Sequence, residues 1–262
     1  MIPARDMLIL SKWSSRERSK YVSNTPMARR FDDLLEHLST HLRNSDDDHE
    51  KIAELGLKKI ENPSRKHIEL VQGLLTHRND LLILDAITAL AYWRRRGSLS
   101  TIVRLCSGHR EELVRQAVVE AIWDLKGLAF RKTLETMLKD ESRLVRMWAV
   151  DAYAALFRDD KAARTLRRIS LSERRFNVRV SLYWNLYALG RREYLDAFLS
   201  LLNHRRFLIR RLACRSLYQR ENIYLPKKDR MRITEHAERR LQKETEESVR
   251  RESQKAIDSL QF

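Results

Sequence analysis

Counting along the chain from Val145, Ala149, Ala152, Tyr153 and Leu156 stand at i+4, i+7, i+8 and i+11, the spacing that lays side chains on one face of an α-helix. The same offsets from Val114 give Val118, Ala121, Ile122 and Leu125. From Val178 they give Leu182, Asn185, Leu186 and Leu189, and from Val249, Ser253, Ala256, Ile257 and Leu260. A weaker copy starts at Leu82, with Ala86, Ala89, Leu90 and Trp93. In five copies an arginine directly follows the aliphatic residue: Arg115, Arg146, Arg179, Arg210 and Arg250, at intervals of 31, 33, 31 and 40 residues. A helical pattern returning at that period predicts stacked helix pairs, each burying its apolar face on its neighbours.

Partner helices with their own apolar spacing lie between these copies: Ile68, Val71, Leu74 and Leu75; Leu99, Ile102 and Val103; Phe130, Leu134, Met137 and Leu138; Leu166 and Ile169; Leu195, Phe198, Leu199 and Leu202. Gly97, Gly127 and Gly190 follow second helices, where a left-handed residue stops a helix at low cost. The expected organisation is a basic arm over 1–30 and one repeat domain over 31–262. Within it, 31–61 is a degenerate capping pair, 62–226 the central repeats, and 227–262 a last pair with an elongated first helix.

The aliphatic-Arg pair followed by an Ala-rich helix resembles the second helix of HEAT repeats, most closely in Glu246-Glu247-Ser248-Val249-Arg250 and Glu112-Leu113-Val114-Arg115. The resemblance covers about residues 65–261 and implies an all-α fold, a right-handed α-α superhelix of about six to seven helix pairs. It also implies that the five arginines join a polar ladder between repeats and that the protein is a scaffold or adaptor. One departure stands out. The acidic residue that often precedes the second helix in that family is missing in several copies, and Arg174-Arg175 and Arg205-Arg206 occupy the turn.

Charge sharpens this departure. The net charge is +16, and residues 161–240 hold 21 Lys or Arg against 7 Asp or Glu, a net of +14, while residues 31–160 are slightly acidic. Arg-Arg-Phe recurs at 174–176 and 205–207, so stacking sets both pairs on one edge, with Arg110 at the same edge. Arg191, Arg192 and Arg211 add to the same basic region. Guanidinium forks beside helix N-termini suit phosphate or carboxylate, so this edge is the expected anion- or partner-binding site. Solvated or internally paired arginines are the competing reading. Trp123, Tyr187 and Tyr218 share the offset i+9 and form a candidate aromatic strip on the concave face, against the alternative that large rings fill gaps between repeats.

Catalytic and metal signatures do not emerge: the chain has no P-loop, GxGxxG, HExxH or GxSxG context. His37 and His41 stand at i, i+4 without a further evident ligand, so no metal and no cofactor is expected. Cys106 and Cys214 lack a CxxC partner and are read as packed thiols of a reducing, cytoplasmic setting. No apolar run approaches a membrane span. The expected function is a non-enzymatic scaffold that holds an acidic protein on the concave face and basic edge. The alternative is a DNA- or RNA-binding protein. At the level of fold and charge the chain also resembles the HEAT-like alkylpurine DNA glycosylases, with Trp123, Trp148, Asp151 and Trp184 in comparable places, but that family's spacing is not matched and no catalytic role is carried over.

Overall fold

A computed structural model describes residues 63–218 and 225–260; the basic arm, the capping pair and the His37/His41 pair lie outside the described residues. Every regular element among the described residues is helical. The chain divides after Gly127 into two compact units.

The first unit contains α1 (Arg65–Gly73), α2 (Asp80–Tyr92), α3 (Leu99–Cys106) and α4 (Glu112–Asp124). Helix α2 packs on α1 and α4, and α3 packs on α4. The positions read from the Leu82 and Val114 registers are the core: Leu82, Ala86, Ala89, Leu90, Trp93, Val114, Val118, Ala121, Ile122 and Leu125 are all buried.

The second unit contains α5 (Arg131–Met137), α6 (Arg143–Leu156), α7 (Asp160–Ser172), α8 (Phe176–Ala188), α9 (Tyr194–Leu202), α10 (Phe207–Tyr218), α11 (Lys227–Lys243) and α12 (Glu247–Leu260). The second helices α6, α8, α10 and α12 pack in a row, each on the next, and α5, α7, α9 and α11 back them. Helix α8 is enclosed by α6, α7, α9 and α10, so it buries residues nearly all round: Val178, Val180, Leu182, Trp184, Leu186 and Tyr187. Trp184 stacks on Tyr187 and meets Phe198 of α9 at 4.8 Å between ring centroids. Each such side chain contributes about 1.5–3 kcal/mol through removal of apolar surface from water.

Two local expectations are corrected. Leu156 is half-buried rather than core, because α6 ends there and Phe157 turns inward in its place. The left-handed residue after α2 and after α4 is Arg94 (φ 53°) and Lys126 (φ 52°), not Gly97 or Gly127. In both, the six-to-one bond of a Schellman turn fixes the conformation: Arg95 N–H donates to Leu90 O at 3.1 Å and Gly127 N–H to Ile122 O at 2.8 Å. Among the described residues glycine holds that position only after α8, Gly190 at φ 87°.

Candidate anion-binding groove

Every second helix from α4 onward is entered through the same turn, built on the residue six before the helix arginine: His109, Asp140, Glu173, His204 and Glu244. The arginine folds back onto that residue's carbonyl oxygen, Arg115 to His109 at 2.7 Å, Arg146 to Asp140 at 2.7 Å, Arg179 to Glu173 at 2.7 Å, Arg210 to His204 at 2.8 Å and Arg250 to Glu244 at 3.0 Å. The turn residue's side chain accepts the backbone N–H two residues on. His109 Nδ1 takes Glu111 N–H, Asp140 Oδ1 takes Ser142 N–H, Glu173 Oε1 takes Arg175 N–H, His204 Nδ1 takes Arg206 N–H and Glu244 Oε1 takes Glu246 N–H. The five arginines clip their own turns, and of the ladder between repeats that the resemblance implied, the links of Arg146 to Glu173 and of Arg210 to Glu244 are present.

Where the turn residue is glutamate it performs a second task. Glu173 accepts the Arg146 guanidinium from the preceding repeat at 2.8 and 3.2 Å, and Glu244 accepts that of Arg210 at 2.7 and 2.8 Å and Arg240 at 2.8 Å. Burial opposes ionisation of both carboxyls, yet the hydrogen bonds from these arginines and from turn backbone N–H groups outweigh it. Glu173 is held below the ordinary carboxylate value, and Glu244 is held at about 2. The acid expected to be absent from the turn at 174–175 is therefore present one residue earlier, as Glu173.

The turn at 204–206 differs. With Nδ1 of His204 occupied as an acceptor, its Nε2 carries the proton in the neutral ring, so the imidazole has no lone pair for a guanidinium. Burial first, then the charges of Arg205, Arg206 and Arg210, lower its pKa and keep it uncharged. Phe176 packs on it with centroids 4.3 Å apart. Arg179, which by register would reach a glutamate here, instead holds the Glu173 carbonyl and sits over the Phe176 ring at 5.4 Å.

Beside this open link lies a hollow of about 610 Å³ within the second unit. Its wall carries Arg174 and Arg175 from the turn before α8, Arg205 and Arg206 from the turn before α10, Arg211 and Arg215 one helical turn apart on α10, and Arg143 at the start of α6. Among the described residues no aspartate or glutamate lines it. Among the described residues none of these seven guanidinium groups meets a carboxylate, whereas Arg131, Arg146, Arg191, Arg192, Arg210 and Arg240 of the same unit all do. A neighbouring hollow of about 470 Å³, which Arg174 and Arg175 also border, is balanced by Asp140 and Glu173. At the mouth of α8 the capping position is Arg175, with no side-chain cap, where α6 has Ser142 and α7 Asp159. The first-turn N–H dipoles of α8 therefore add to the positive potential.

The remaining sequence-predicted residues fall elsewhere. Arg110, in the first unit, donates to Asp80 at 3.3 Å. Arg191 pairs with Asp160 at 2.8 Å, and Arg192 reaches Asp229 at 3.4 Å while covering the Tyr187 ring. All three already have carboxylates, which corrects their reading as cations awaiting a partner. Tyr187 is buried, 1% exposed, and its hydroxyl donates to Asp229 at 2.7 Å; burial and that carboxylate raise its pKa. It is not part of an exposed strip, because α11 closes over it. Tyr218 is half-buried and donates to Glu252, and Trp123 is half-buried in the first unit. Trp184 is core, and Asp151 accepts Asn185 Nδ2–H at 2.8 Å. Sequence reasoning missed Arg143, Arg215 and His204. The i+4 spacing from Arg211 would have found Arg215, and aligning the residue six before each helix arginine would have found His204.

Among the described residues no group of three or more His, Cys, Asp or Glu is placed to hold a metal, and no helix is long and apolar enough to cross a membrane. In sequence, the family described as HEAT repeats matches residues 68–154. No curated protein matches significantly. In structure, the chain is similar to the complex of CpcE and CpcF of phycocyanin lyase from Nostoc sp. PCC7120, with a TM-score of 0.52 at 16% identity over 88% of this chain and 94% of that one. It is also similar to an archaeal HEAT-like repeats protein from Thermococcus onnurineus NA1, with a TM-score of 0.44 at 18% identity over 91% and 98% of the two chains. A designed armadillo repeat protein aligns with a TM-score of 0.35 at 18% identity over 89% and 98%. The helix-pair register and the likeness to the CpcE–CpcF complex show an all-α helical-repeat solenoid fold, with HEAT repeats matched in sequence over residues 68–154.

Proposed function

We propose that the chain is a non-enzymatic HEAT-repeat binding module whose second unit holds an acidic segment of a partner protein in the arginine groove, in a reducing, cytoplasmic setting. The observation that carries this reading is the set of seven guanidinium groups around one hollow with, among the described residues, no carboxylate in its lining. Two like charges about 4 Å apart in water repel by about 1 kcal/mol, and more where protein displaces solvent. An anionic partner relieves that repulsion and gains forked hydrogen bonds, so the groove is built to favour the bound state. Elsewhere in the unit the fold shows how it neutralises arginine when structure is the purpose, through Glu173 and Glu244.

The lining also favours protein over nucleic acid. Met147, Phe176, Leu208 and Leu212 share the wall with the arginines, and Leu208 is 59% exposed, which suits apolar side chains next to acidic ones. Bases need free aromatic faces, but Trp184 and Tyr187 are sealed in the core and Phe176 is tilted against His204. The same burial of Trp184 weighs against a glycosylase-like site.

The test is fluorescence anisotropy with a glutamate-rich peptide, against duplex DNA and single-stranded RNA, over a salt series. The wild type is expected to bind the peptide, and a variant with Arg174, Arg175, Arg205 and Arg206 all changed to Ser to lose it while keeping its thermal unfolding midpoint. Undiminished peptide binding by that variant would overturn the proposal. So would tighter binding of nucleic acid with a log–log salt slope of about −0.9 per phosphate.

A further inference from the structure

We infer that the groove reads spacing as well as charge: it selects an extended segment of a partner protein in which two carboxylates stand three residues apart, one on each arginine pair. This rests on the proposed binding of an acidic partner. Arg174-Arg175 and Arg205-Arg206 occupy the same register before α8 and α10, helices that pack directly on each other, and both pairs face one hollow. Neighbouring packed helices lie about 8–10 Å apart between axes, so the two pairs repeat at about that distance. An extended segment in the polyproline II conformation has three residues per turn and rises about 3.1 Å per residue, so carboxylates three residues apart project from one side about 9 Å apart. Adjacent carboxylates would crowd one pair and leave the other unoccupied; carboxylates seven residues apart would overshoot.

The surroundings reinforce the register. Between the pairs stand uncharged groups, the neutral His204 ring and Phe176 packed against it. A charge placed there would meet no fork, whereas an apolar residue would meet a ring. The contact of Phe176 with His204 thus separates the 174–175 pair from the 205–206 pair, which form two stations.

The experiment measures the affinity of the full chain for a peptide series at about 0.15 M salt, where a Debye length of about 8 Å damps the distant field and leaves local pairing. All peptides carry two glutamates in an otherwise neutral sequence of one composition, set one, three or seven residues apart. The three-residue spacing is expected to bind about tenfold tighter than the others, a difference of about 1.4 kcal/mol. In the R174S/R175S variant, which retains only one station, the three peptides are expected to bind alike. Affinities in the wild type that do not depend on spacing would overturn this inference while leaving the acidic-partner reading in place. Failure of every peptide to bind would overturn both, as would tighter binding of an oligonucleotide of equal charge.

Discussion

Two links between successive repeats of the second unit follow the same plan and end differently. At Arg210 the guanidinium crosses to Glu244, buried and held at a pKa of about 2, and the polar ladder closes. At Arg179 the register leads to His204, the ladder stays open, and the arginines on either side remain without carboxylates among the described residues. One position in a repeated turn thus decides whether arginine binds the protein to itself or is left for something else. Stability and the proposed recognition draw on the same residue type, and the turn acid allocates it.

The largest test of this contrast breaks the closed link. Arg210→Ala leaves Glu244 buried with Arg240 as its remaining guanidinium, and is expected to cost about 3 kcal/mol in urea or thermal unfolding, within the range for a broken buried pair. Acid provides a second. Because the folded-state pKa of Glu244 lies below its ordinary value of 4.5, its contribution is fully present above that pH and is lost as pH falls toward about 2. Unfolding followed across that window should show less pH dependence in Glu244→Gln than in the wild type. Arg179→Ala, at the open link, removes a carbonyl hydrogen bond and a contact with Phe176 and should cost only about 1 kcal/mol. If it costs as much as Arg210→Ala, the links are not different. His204→Glu converts the open link to the closed type. It should keep the fold and lower acidic-peptide affinity about five- to tenfold, read by anisotropy, since a carboxylate a few Å from several arginines offsets about 1 kcal/mol of attraction. The smallest effect is expected for Arg205→Ser with Arg206→Ser, whose exposed side chains should change folding stability by no more than about 0.5 kcal/mol.

The apolar stripe was legible because helical period dictates it: Val145, Ala149, Ala152 and Tyr153 are all fully buried. Period does not say where a helix stops, so Leu156 was placed inside and Phe157 overlooked. Nor does it say what covers a face. Tyr187 sits on the predicted side of α8, but Asp229, 42 residues away, closes over it. The arginine pairs at 174–175 and 205–206 were visible as a repeated doublet, and both line the groove. Their unequal electrostatic surroundings were not read from the doublet, because they are set by the turn residue before it: Glu173 accepts Arg146 from the preceding repeat, whereas His204 accepts the local Arg206 N–H.

Cys106 and Cys214 distribute one thiol to each compact unit, both fully buried and with burial raising each pKa to about 11. A thiol so placed is silent toward alkylating reagents until its own surroundings open. The chain therefore carries two internal reporters, and the rates at which each is labelled would reveal whether the halves come apart together or in turn.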